Sequence, residues 1–290
     1  MRSLLFVPAD SERKLAKAQS AGADALILDL EDSVTAGRKP IARSLAAAYL
    51  RTARGLPGIW VRINDRGSGL AEEDLAAVIP QRPAGIVLPK IEGPRDIELV
   101  AQRIGQLETA AGLPAGAVAL LALVTETPAA VLRIPQLLEL SCTRLTALGW
   151  GAEDLSAALG AGDPRTADGR WRPTYEFART QCLLAAHALA IEPIDSVFVD
   201  FRDLLGLKAA CASSRHDGFG GRLAIHPDQV AIINDSYTPS DAERAQAQRI
   251  VDAFGAGEGT VSLDGKMYDL PHLKAARRVL RGFAPQESGS

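Results

Sequence analysis

Eight short apolar runs recur through the first 230 residues, each ending in polar or charged positions. They are "SLLFVPADS", "ALILDLED", "GIWVRIND", "GIVLPKIE", "VALLALVTET", "RLTALGWGAED", "DSVFVDFRD" and "GRLAIHPDQ". The segments between them carry helical signals. In "DSERKLAKAQSAGA", Asp10 or Ser11 serves as N-cap, Leu15 and Ala18 fall at helical spacing, and Gly22 marks the stop. "ARSLAAAYLRTA", "PRDIELVAQRIGQLETAAG" and "TYEFARTQCLLAAHALA" behave alike. Strand alternating with helix argues for parallel strands. Eight such units predict an α/β chain folded as a (β/α)8 TIM barrel over residues 1–235. A doubly wound sheet is the competing arrangement, and the lack of a GxGxxG after the first run weighs against it.

A barrel gives meaning to the run endings, because this fold builds its active sites at the C-terminal mouth of the strands. That mouth is expected to carry Asp29, Glu31, Asp32, Arg62, Lys90, Glu126, Asp154 and Asp203. In "GIWVRIN", Ile59, Val61 and Ile63 share the helix-packing face, which leaves Arg62 on the barrel side. Each residue taken singly also fits a solvated turn; a ring of acids with one Arg and one Lys is harder to explain that way. Glu126 and Asp154 end consecutive runs, so their carboxylates should be neighbours. Two hard oxygen ligands with room for water and substrate is how Mg²⁺ is usually held. Gly149, Gly151 and Ala152 allow close approach to the backbone. The plain alternative is that both acids cap helices. No histidine lies near a cysteine at zinc-ligand spacing.

Beyond residue 236 the pattern changes to a capped helix with a Gly-rich exit, a short strand, an Asp-Gly turn, a second strand and a helix. Residues 236–284 are too few to fold alone, so they are expected to form a small C-terminal α/β appendage on this barrel or a neighbouring copy. Residues 285–290, "QESGS" and its preceding proline, read as a disordered tail. A net charge of −3 gives no electrostatic footprint for nucleic acid or a membrane surface. The longest strand-like run, "AVALLALV", is far short of a membrane span, and the N-terminus lacks a signal-peptide core. Three widely spaced cysteines read as reduced thiols, so the expected location is cytoplasmic.

Taken in order, "RSLLFVPADSERKLAKA", "DALILDLEDSV", "VRIN", "VLPKIE", "TETP", "GAEDL", "GFGGRLAIHPDQV" and "LDGKMYDLP" resemble the citrate lyase β-subunit-like proteins. These belong with the HpcH/HpaI aldolases and the malyl-CoA and citramalyl-CoA lyases, and the likeness runs from residue 2 to about 281. The resemblance implies Mg²⁺, with Mn²⁺ as the alternative ion, held by Glu126 and Asp154. It implies that Arg62 binds the oxo-acid fragment and steadies an enolate. It also implies a homo-oligomer, trimer or hexamer, in which Asp269 of "GKMYDLP" reaches a neighbour's site. Tyr268 stands where an aliphatic residue is commoner in that motif.

The function so implied is Mg²⁺-dependent cleavage of a short 3-hydroxyacyl-CoA into acetyl-CoA and a 2-oxo acid by retro-Claisen chemistry. Arg62 and Asp269 are the expected catalytic groups, with Glu31 and Asp32 supporting the metal and Asp29 structural. Lys90 and Gly149 are expected to line the substrate site. Arg13, Lys14 and Lys17 are candidates for the anionic groups of coenzyme A, or simply a solvated basic helix face. His226 is expected to shape the loop after the eighth strand. Competing readings are a citrate lyase β subunit using an acyl-carrier-protein thioester, a malate synthase or malyl-CoA thioesterase, and a non-catalytic acyl-CoA-binding paralogue.

Overall fold

The computed structural model describes residues 1–53, 58–255 and 259–281. Its first compact unit spans Met1–Asn234, and a second begins at Asp235. In the first, β1 (Ser3–Pro8), β2 (Ala25–Asp29), β3 (Ile59–Arg62), β4 (Gly85–Leu88), β5 (Ala119–Leu123), β6 (Leu145–Gly149), β7 (Glu192–Asp195) and β8 (Gly221–Ala224) pair in sequence order. β8 returns to β1, and all eight pairings are parallel. The result is the expected closed (β/α)8 barrel. Around it run α1 (Glu12–Ala18), α2 (Lys39–Thr52), α3 (Ala71–Val78), α4 (Pro94–Ala110), α5 (Pro128–Arg133), α6 (Ala152–Leu159), α7 (Pro173–Ala188), α8 (Leu204–Asp217) and α9 (Asp228–Tyr237).

Strand parity decides what fills the barrel. Leu4, Ala25, Ile27, Trp60, Val87, Leu121, Leu123, Ala147, Ile194 and Leu223 form one buried interior cluster, with Phe6 packed against it. Trp60 is the largest of these, and the neighbouring strand makes room for it. A Cβ on Gly85 would lie 2.2 Å from the Trp60 ring, so only glycine fits there. At the far end of the barrel, Glu108 at the end of α4 accepts from Arg144 Nη1 and Nη2 at 2.9 and 2.8 Å and from the Val118 and Gly116 amides. This buried clamp closes the base beneath β5 and β6.

The helix starts follow their sequence signals. Ser11 caps α1 through the Lys14 amide, and the chain stops at Gly22 with φ +72°. The seventh strand does not lie where the sequence suggested. "DSVFVDFRD" looks more strand-like, yet the chain pairs Glu192–Asp195 and leaves residues 196–203 as loop. Ile194 supplies the inward side chain there and pairs with Gly221, which outweighs local propensity. Asp203 therefore follows a loop rather than a strand end; its carboxylate caps α8 by accepting from the Gly206 amide at 2.8 Å.

The second unit contains α10 (Asp241–Ala253), an antiparallel pair β9 (Thr260–Leu263) and β10 (Lys266–Asp269), and α11 (Leu270–Arg281). Ser240 and Glu243 form a reciprocal capping box at the start of α10. Asp264 and Gly265, both at positive φ, make the hairpin turn. Phe254, Val261 and Leu273 form its small core. The tail at 285–290 and part of the Gly-rich exit lie outside the described residues. Among the described residues no helix is long and apolar enough to cross a membrane.

Candidate active site at the barrel mouth

β2 and β3 place Asp29 directly opposite Arg62, and both follow the inward parity of Ile27 and Trp60. The pair is bidentate: Arg62 Nε and Nη2 donate to the two Asp29 carboxylate oxygens, each at 2.7 Å. Burial opposes ionisation of Asp29, but Arg62 outweighs it and holds the carboxyl below the usual range. Asp29 also accepts from the Glu31 and Ser33 amides, so it fixes the turn that follows β2. Phe6 lies under the guanidinium, 4.6 Å from ring centroid to Cζ. Asp29 is thus the residue that aims Arg62, a more specific part than a structural acid.

That turn carries Glu31 and Asp32. Glu31 is buried; Asp32 is half-exposed. Glu31 Oε1 accepts from Lys90 Nζ at 2.7 Å, and its Oε2 lies 3.0 Å from Arg62 Nη1 without a hydrogen bond in good geometry. Lys90 Nζ also donates to both Asp32 oxygens, at 3.0 and 3.1 Å, and lies 3.4 Å from Asp154 Oδ1. Burial pushes Glu31 up to about 7 even though both cations pull it down. Lys39 grips the turn from outside, donating to the carbonyls of Leu30 and Glu31 at 2.9 and 2.7 Å. Nothing in the sequence singled out Lys39, because its partners are main-chain atoms. Asn64, quoted in "VRIN" without a role, is held by buried Asp74 through its amide and side chain at 2.9 and 2.7 Å.

Lys90 contributes twice. Its backbone takes a left-handed conformation, φ +49°, uncommon for a residue with a side chain. In that conformation its amide donates to Glu126 Oε2 at 2.5 Å while its ammonium sits among the other acids. Glu126 follows β5 and is buried; Asp154 stands in the first turn of α6, where the helix dipole favours an acid. The two are close enough for the charge of Asp154 to push Glu126 up further, after burial, to about 8. A Cβ on Gly151 would lie 3.2 Å from Glu126 Cγ, so the turn into α6 packs against this carboxylate.

Five carboxylates (Asp29, Glu31, Asp32, Glu126 and Asp154) therefore meet two cations, Arg62 and Lys90. The surplus negative charge, the buried Glu31 oxygen without a hydrogen bond and the all-oxygen donor set suit a hard divalent cation. Among the described residues no group of three or more His, Cys, Asp and Glu side chains forms a ready cage, so water and substrate would complete the coordination.

The remaining candidates have other neighbours. Gly149 ends β6 on the barrel interior, where a Cβ would meet Leu123 at 2.8 Å. Arg13 and Lys17 are exposed on α1, and Asp10 ahead of them accepts from Arg38 Nε at 2.6 Å. His226 stacks on Phe201 at 4.7 Å and its amide donates to Gln229, an arrangement that shapes the loop after β8. Asp269 belongs to the second unit, where its Oδ1 lies 2.5 Å from His272 Nδ1, and His272 holds its carboxyl below the usual range.

Comparison with known proteins gives a concordant picture. The sequence profile of the HpcH/HpaI aldolase/citrate lyase family matches residues 2–227. The (3S)-malyl-CoA thioesterase of Cereibacter sphaeroides is 34% identical over 96% of this chain and 93% of its own length. The mitochondrial citramalyl-CoA lyase of Homo sapiens is 32% identical over 96% of this chain and 84% of its own. The crystal structure of CitE from Mycobacterium tuberculosis in complex with magnesium, acetoacetate and coenzyme A superimposes with a TM-score of 0.77 at 32% identity, covering 97% of both chains. A profile spanning most of the barrel and relatives spanning nearly the whole sequence lead to one conclusion: the chain belongs to the HpcH/HpaI aldolase/citrate lyase family.

Proposed function

We propose that this enzyme is a Mg²⁺-dependent carbon–carbon lyase that splits a short 3-hydroxyacyl-CoA of the malyl, citramalyl or citryl type into acetyl-CoA and a 2-oxo acid. The observation that carries the reading is the pairing of Glu126 and Asp154 at one side of a mouth whose other side is the Asp29–Arg62 pair. It is supported by the M. tuberculosis CitE complex with magnesium, acetoacetate and coenzyme A. Glu126 and Asp154 would hold the cation, which, when bound, supplies Lewis-acid stabilisation of negative charge on the oxo-acid oxygens. Arg62, fixed by Asp29, presents guanidinium N–H groups where the enolate charge develops. As the Cα–Cβ bond breaks, its electrons go to the thioester enolate and the substrate hydroxyl becomes the oxo-acid carbonyl. The hydroxyl proton passes to Glu31 or Asp32, and the acetyl carbon takes a proton that the Asp269 carboxylate of a neighbouring copy relays from water. Lys90 and Gly149 border the substrate, and Arg13 and Lys17 meet the coenzyme A phosphates. A homotrimer and a cytoplasmic location complete the proposal.

The test is turnover of malyl-CoA and citramalyl-CoA by the purified protein with Mg²⁺ and no carrier protein, following both products. Release of acetyl-CoA and 2-oxo acid in equal amounts is expected. A need for an acyl-carrier-protein thioester would instead identify a citrate lyase β subunit. The resemblance to a thioesterase favours one second reading, cleavage of the thioester at this same site. Free hydroxy acid and CoA without oxo acid would establish it.

The metal site also predicts a pH dependence. Burial first, then Asp154 and Glu31, raise metal-free Glu126 from its ordinary 4.5 to about 8, against Arg62 and the Lys90 amide. A carboxyl whose folded value is raised stabilises the fold fully below 4.5, and that contribution is lost as pH climbs through about 8. A cation must displace this proton, so it binds better and stabilises more as pH rises. The increase in melting temperature on adding Mg²⁺ to chelator-treated protein should be larger at pH 8.5 than at pH 6 (values chosen about the midpoint near 8). An equal increase at both would exclude Glu126 as a ligand.

A further inference from the structure

Between Gly149 and Gly151 the chain turns from β6 into α6, and this turn delivers Asp154 to the mouth. Glycine on both sides of one residue leaves a backbone with wide conformational freedom. Two grips remove it. On the mouth side, the Gly151 amide donates to Thr125 Oγ1 at 3.0 Å, and Thr125 directly precedes Glu126. On the outer side, Trp150 is fully buried and its indole N–H donates to Asp195 Oδ1 at 2.6 Å.

Asp195, at the end of β7, is a rigid anchor. It is fully buried, and its Oδ1 also accepts from the Ser196 amide at 2.9 Å. Its Oδ2 accepts from Arg222 Nη2 at 2.5 Å, with Arg179 Nη2 at 3.3 Å. Arg222 in turn donates to the Ser196 carbonyl at 2.9 Å. The ring of Trp171 meets Trp150 edge-on, centroids 4.8 Å apart, and the Arg165 guanidinium lies 3.6 Å over Trp171. The turn is therefore covered from outside by a stack that ends on a buried, charge-paired carboxylate.

We propose that Trp150 and Asp195 are positioning residues for Asp154: the indole-to-carboxylate hydrogen bond holds the β6–α6 turn so that Asp154 stands beside Glu126, and cation affinity at the mouth depends on it. The inference rests on the reading that Glu126 and Asp154 hold Mg²⁺. A tryptophan that merely fills space would make the indole N–H dispensable for affinity.

Isothermal titration of Mg²⁺ into chelator-treated protein decides the matter, with melting temperature recorded for each variant. Trp150→Phe keeps an aromatic core residue and removes the donor; it should weaken Mg²⁺ binding by about 10- to 100-fold, the usual effect of losing a group that orients a ligand. Asp195→Asn is the second variant, decisive if Trp150→Phe does not fold. With the guanidinium groups of Arg222 and Arg179 on one side, an asparagine turns its single oxygen to them and its NH2 to the indole N–H, so the Trp150 bond is lost and affinity should fall there too. Glu108→Gln, at the far end of the barrel, should lower the melting temperature and keep parental affinity. Parental affinity in Trp150→Phe or, where that does not fold, in Asp195→Asn would overturn the proposal. So would an equal loss of affinity in Glu108→Gln, which would show general destabilisation as the cause. A parent protein that binds no Mg²⁺ would refute the metal reading itself, and the parental titration shows this separately.

Discussion

Replacing Asp154 with alanine should abolish Mg²⁺-dependent turnover, at least about 10³-fold in kcat/KM, while leaving thermal stability unchanged or higher. The two effects separate because Asp154 sits in an overcrowded negative site. Its ion pair to Lys90 is long, 3.4 Å, and Lys90 keeps the nearer Glu31 and Asp32. Removing one like charge relieves Glu126, which burial and Asp154 together push up to about 8. Against this stands the loss of an acid from the first turn of α6, typically about 0.3–1 kcal/mol. Initial rates across a Mg²⁺ series and a melt in chelator measure both. Activity within tenfold of the parent would remove Asp154 from the metal site.

Arg62→Met should fail in the opposite way, losing activity and stability together. Its guanidinium neutralises buried Asp29 through two 2.7 Å bonds and lies 3.0 Å from buried Glu31, which Lys90 also pairs at 2.7 Å. Deleting one partner of a buried pair commonly costs about 3–5 kcal/mol, because the remaining charge stays desolvated. Loss of a well-placed donor for developing negative charge costs about 10²–10³ in rate. The double variant Arg62→Met with Asp29→Asn separates the two roles. It should regain much of the stability and none of the activity. A stable, inactive single variant would show that Asp29 tolerates the mouth without Arg62, contrary to the geometry.

Much of this architecture is readable in the chain because barrels impose a strict period of two on their strands. Parity alone put Arg62 inside, and the order of the run endings made Glu126 and Asp154 neighbours. What stayed hidden involves partners that no local pattern links. Trp150 and Asp195 lie in an apolar run and 45 positions further on, and neither departs from its surroundings in the sequence. Lys39 acts on carbonyls, which every residue possesses. Asp29 stood in a crowd of acids, and only the register of β2 against β3 shows that it is the one bound to Arg62. The seventh strand was misplaced because "VFVDF" has the higher strand propensity, whereas tertiary pairing selected "EPID". The sequence likewise carried no signal for the left-handed backbone at Lys90, since lysine has no preference for it.

The Trp60 ring has a kinetic consequence. Wedged against Gly85 near the strand starts, it fills the base of the barrel together with the side chains of the interior cluster. On the proposed function, substrate and both products then share the mouth as their doorway. An oxo acid held, on the same reading, through a cation at buried Glu126 would sit deeper than a coenzyme A whose phosphates meet exposed Arg13 and Lys17, and would leave after it. Release is then ordered by depth, and the oxo acid, leaving second, should compete with incoming substrate for the empty enzyme.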